Sequence, residues 1–132
     1  MTAAKELDAM TEKLNTLLIL AEEAIRALGL NVTASVPLTP NDTSLVWARR
    51  EDKTWGLHVT SVRDPDCTAG RTPILHASRE KRILTAKSID RLIAEMTRVA
   101  DHQLVEVRSA IETLETLLVA FDESARIQAA ID

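Results

Sequence analysis

Residues 44–62 read SLVWARREDKTWGLHVTSV, and this stretch decides the fold class. Ser44 to Arg50 and Thr54 to Val62 are rich in strand formers, and Glu51-Asp52-Lys53 separates them. That pattern predicts a β-hairpin. Leu45 and Trp47 share one face of the first strand, and Trp55, Leu57 and Val59 share one face of the second. The two apolar faces coincide only if the loop has an odd number of residues. A three-residue loop pairs Arg50 with Thr54, sets Trp47 across from Leu57 and Leu45 across from Val59, and puts Arg49 opposite Trp55, with its guanidinium over the indole.

On the N-terminal side, residues 30–43 form a turn-rich connection. Val32, Val36 and Leu38 suit a short edge strand, since Pro37 and Pro40 argue against a central one. Before it, residues 1–29 read as a helix. Leu7, Met10, Leu14, Leu17, Ala21, Ala24 and Leu28 step 3-4-3-4-3-4, and Gly29 is a natural C-terminal stop. Leu18, Leu20 and Ile25 flank this stripe and make the apolar face wider than a two-stranded coil requires.

On the C-terminal side, residues 63–72 are a polar loop and Pro73 to Ala77 suit a third strand. Ser78 is placed to cap a helix starting near Arg79, and Ser88 to cap a second one. From Ile89 onward the pattern is helical. Ile93, Met96 and Ala100 lead into Leu104, Val107, Ile111, Leu114, Leu118, Phe121 and Ala125, with one stutter at Asp101-His102. An unbroken helix of about 40 residues is roughly 60 Å long. A compact chain of this size has a radius of gyration of about 14 Å. The helix therefore either breaks near Asp101 or finds a partner.

The expected architecture is one α+β domain over 1–132: helix 1–29, sheet region 30–77 and helical region 78–132. The long C-terminal amphipathic helix is expected to pack on the N-terminal one. Leu14, Leu17, Leu18, Leu104, Val107, Ile111, Leu114, Leu118 and Phe121 form the core or oligomerisation stripe. A second copy of the chain, giving a homodimer or higher oligomer of coiled-coil type, covers what remains.

The chain has 132 residues, 45% of them hydrophobic, but its only aromatic residues are Trp47, Trp55 and Phe121. The helices must therefore pack with aliphatic side chains, and few rings remain for stacking bases. The start of the sequence lacks the basic and apolar regions of a signal peptide, and no apolar run approaches the roughly 20 residues of a membrane span. A cytoplasmic protein with no membrane partner is the expectation.

The formal net charge of −4 is unevenly distributed: residues 1–46 carry −3, residues 47–98 carry +4 and residues 99–132 carry −5. In one reading the acidic ends lie against the basic middle within one fold or dimer. In the other the middle faces an acidic partner. Arg49, Arg50, Lys53 and Trp55 on the hairpin, with Arg79, Lys81 and Arg82 on the following helix, are the candidate partner-binding residues.

Cys67 with His58 or His76 is the only conceivable nucleophilic pair, and spacing alone brings none of them together. No metal-ligand spacing, phosphate loop or dinucleotide fingerprint occurs, so no catalytic residue, metal or cofactor is expected. Paired acids such as Glu22-Glu23 and Asp122-Glu123 suit solvated helix faces. The expected role is a non-enzymatic, oligomeric interaction protein: an adaptor, chaperone-like protein, regulator or inhibitor. It would self-associate through its helices and meet a partner protein through the sheet and its basic rim. The alternative is a regulator that binds nucleic acid or a nucleotide through the basic centre, against which stands a pI of about 5.4.

Overall fold

The hairpin forms in the expected register. The computed structural model describes residues 2–39, 42–61 and 70–131. Strands β2 (Thr43–Arg49) and β3 (Trp55–Ser61) pair antiparallel, with Leu45 opposite Val59, Trp47 opposite Leu57 and Arg49 opposite Trp55. The Arg50 N–H donates to the Thr54 carbonyl at 2.7 Å, which closes the three-residue loop. Asp52 holds the return strand, its Oδ1 accepting from the Thr54 amide at 2.9 Å and hydroxyl at 2.6 Å. Lys53 completes the turn at φ 71°, the left-handed conformation that such loops need at their last position.

Two short edge strands complete a four-stranded antiparallel sheet of order β1-β2-β3-β4. β1 (Ala34–Pro37) pairs with β2, burying Ala34 and Val36 while Ser35 and Pro37 stay exposed. β4 (Thr72–Pro73) pairs with β3 through His58 and Val59. It is shorter than the expected strand at Pro73 to Ala77. Residues Ile74–His76 turn instead into one stretch of 3-10 helix, closed by the Ala77 N–H on the Ile74 carbonyl at 3.1 Å.

Both sheet faces are covered along β2, where every residue from Thr43 to Ala48 is buried. Trp47 is a core residue at 1% exposure, whereas Trp55 at the strand end is half-buried. His58, which alternates away from Leu57 and Val59, is buried.

Helix α1 (Ala3–Ala27) starts on Thr2, whose hydroxyl accepts the Lys5 N–H, and stops before Gly29 at φ 72°. Its buried side chains are Leu18 and Ile25, with Leu14 and Ala21 half-buried. Leu7, Met10, Leu17, Ala24 and Leu28 of the expected stripe are exposed. The apolar face is broad enough that the sheet takes its flank rather than its centre. Polar contacts from the same helix decide which flank.

Helix α2 (Arg79–Ala86) is capped by Ser78, whose Oγ accepts the Lys81 N–H at 3.3 Å. Helix α3 (Ile89–Ile131) follows after a two-residue break. Ser88 occupies the position before it, but its Oγ accepts from the Arg91 guanidinium at 2.8 Å rather than from a backbone amide. The same guanidinium reaches the Pro37 carbonyl at 3.2 Å and ties α3 to the end of β1. Leu92 and Met96 are fully buried.

The chain divides into two compact units at Val99/Ala100. The first holds the sheet, α1, α2 and the start of α3, and it contains the whole buried core. The second is the remainder of α3, in which every described residue from Asp101 to Ile131 is exposed. Leu104, Val107, Ile111, Leu114, Leu118 and Phe121 are 47–62% exposed. These positions have the spacing of a packed face.

Candidate functional site

Two surfaces carry the residues singled out by sequence. The first is the apolar stripe of α3. Helical spacing of three and four residues sets Leu104, Val107, Ile111, Leu114, Leu118 and Phe121 along one side, and Leu117, at 44% exposure, widens it. Beside the stripe, Arg126 and Asp122 form an ion pair at 3.0 Å. A shallow apolar groove also lies in the first unit, where Leu14, Leu17, Leu18 and Ala21 of α1 meet Ala86 and Ile89.

The second surface is the basic rim. Arg49 lies over the Trp55 ring, 5.7 Å from its centroid, as the register requires. Lys53 is exposed at the loop end. Arg50, Arg82 and Arg79 are engaged by α1. Arg50 donates to Glu22 Oε2 at 2.7 Å, Arg82 donates to the Asn15 side-chain oxygen, and Arg79 lies 3.7 Å from Asp8. Asp8, Asn15 and Glu22 are seven residues apart, so they recur on one side of the helix. Each meets a guanidinium from the basic middle. This agrees with the reading in which the acidic N-terminal segment lies against the basic centre within the fold. Lys81 is half-buried on α2.

Glu22 is the most connected of these groups. Its Oε2 also accepts the Leu57 N–H at 2.9 Å, and its Oε1 takes Arg26 at 3.1 Å. Arg26 in turn donates twice to the Trp55 carbonyl, at 2.7 and 3.1 Å. The two-residue β4 leaves this part of the β3 edge unpaired. Glu22 and Arg26 satisfy it and thereby orient α1. Sequence reading treated Glu22 as part of a solvated face and missed this role. The available signal was the seven-residue recurrence of polar groups beside an apolar stripe.

Of the conceivable nucleophilic pair, Cys67 lies outside the described residues, His58 is buried on β3, and His76 is exposed beyond β4. No group of three or more His, Cys, Asp or Glu side chains with metal-binding geometry occurs among the described residues. No described helix is long and apolar enough to cross a membrane. No family model, curated protein or solved structure matches the chain.

Proposed function

We propose that the protein is a non-enzymatic interaction module that self-associates through the C-terminal part of α3. It presents the hairpin end, with Arg49, Lys53 and Trp55, to a partner protein. The observation that carries this reading is the exposed stripe from Leu104 to Phe121. Soluble monomers rarely leave so continuous an apolar surface in water. Its 3-4 spacing matches the a and d positions of a coiled coil, so a second copy presents a complementary face. Leu, Ile and Val fill these positions up to Phe121, which closes the stripe.

Leu114→Asp places a charge in the middle of that stripe. Sedimentation of the wild-type chain is expected to give a dimer or higher oligomer whose mass holds across a wide concentration range. The variant is expected to sediment as a monomer with the hairpin core still folded, since that core lies in the other unit. A wild-type chain that sediments as a monomer would refute the reading.

A further inference from the structure

Gly56, His58 and Thr60 alternate onto the face of β3 opposite Trp55, Leu57 and Val59. Beside them is a cleft of about 260 Å³ lined by Arg49, Arg50, Glu51, His58, Arg71 and Pro73. Two backbone features assemble it. The β3–β4 pairing sets His58 opposite Pro73, which brings Arg71 alongside. Gly56 has no side chain, and a Cβ there would run into the Arg50 guanidinium, so Arg50 lies across the strand next to His58.

Several polar atoms of this cleft have no hydrogen-bond partner among the described residues. Arg50 Nε, Arg71 Nε and His58 Nδ1 are buried and have no hydrogen-bond partner among the described residues. Arg50 spends one terminal nitrogen on Glu22, while Arg71 has no ion pair among the described residues. His58 is 4% exposed. Glu51 is the one acid in the lining, against three arginines. Buried donors without partners are costly, and guanidinium groups left so in one cleft imply an anionic ligand.

We propose that this cleft binds a phosphoryl group, either inorganic phosphate or the phosphate of a phosphomonoester. A tetrahedral dianion accepts hydrogen bonds from several directions at once, which suits separate guanidinium forks better than a planar carboxylate does. The volume suits a group of that size rather than a large apolar ligand. Protonated His58 supplies a further donor through Nδ1. Burial holds the His58 imidazole below its ordinary pKa, and Arg50 and Arg71 add repulsion, against the opposing pull of the Gly56 backbone and Glu22. A bound anion offsets that repulsion, so its binding and His58 protonation reinforce each other.

The test is a titration of inorganic phosphate into the full chain at constant ionic strength, read by the NMR resonance of the His58 ring. A saturable shift is expected, with a rise in the His58 pKa. Arg71→Gln is expected to weaken binding about tenfold, the effect of losing one charge-assisted contact. Arg71→Lys, which keeps the charge without the fork, should also bind more weakly than wild type, and circular dichroism checks that both variants fold. Adenosine monophosphate that competes identifies an ester as an acceptable source, and its failure to compete restricts the site to free phosphate. Absence of a saturable shift, equal competition by acetate, or unchanged affinity in both folded variants overturns the proposal.

Discussion

Lys53 holds a left-handed backbone at φ 71° although it carries a side chain. The loop length demands that conformation, and the residue bears its steric cost. Lys53→Gly should therefore raise unfolding free energy by about 0.5–1 kcal/mol, measured by urea denaturation, because relief of strain outweighs the added chain entropy. His58 supplies a second expectation. Its pKa is lowered from 6.5 in the fold, so the unfolded chain takes up the proton first as pH falls. Stability should decline as pH drops through about 6.5 and level off below the folded-state pKa, at no more than about 1.4 kcal/mol per pH unit. Denaturation across pH 5–8 measures the slope, and His58→Gln should remove this residue's share of it.

Among the elements, α1 shows most clearly what a pattern can convey. Its start, its end and its amphipathic character follow from Thr2, Gly29 and the leucine spacing, all of which act within one or two turns. Its rotation about its own axis does not. Leu18 and Ile25 are buried while Leu17 and Leu28 are exposed, a change of about one residue around the helix. Glu22 and Arg26 select that rotation by bonding β3, at sequence separations of 35 and 29. Glu22→Ala should leave the Leu57 N–H and Arg50 without their acceptor. A loss of about 2 kcal/mol is expected in equilibrium unfolding, reduced from a fully buried pair by partial exposure. In the hairpin the outcome was more legible. Strand alternation and a three-residue loop leave one register in which both apolar faces agree, and the ladder adopts it. β4 was less legible, because Pro73 and the turn after it favour local closure over a longer edge strand.

For the molecule as a whole, the division at Val99/Ala100 separates a unit with a core from a helix without one. A helix with every described side chain exposed from Asp101 to Ile131 gains little from tertiary packing, and isolated helices of moderate length are marginal in water. If self-association supplies the missing burial, its melting is linked to protein concentration, whereas that of the sheet unit is not. Thermal melts by far-ultraviolet circular dichroism at several concentrations should resolve two transitions. The helical one should rise in temperature with concentration, and the other should stay fixed.

The sequence alone determined the α+β class, the hairpin register, the Gly29 stop, the Ser78 cap, and the Arg49–Trp55 contact. Each depends on neighbours in the chain or directly across a two-stranded ladder, where a repeat of two or of 3.6 residues settles geometry. Only the tertiary structure decided which flank of α1 is buried, that Glu22 closes the β3 edge, and that Arg50, Arg71 and His58 line one cleft. Those relations join groups whose separation is set by packing, and no short-range periodicity encodes which of several similar arginines meets which acid.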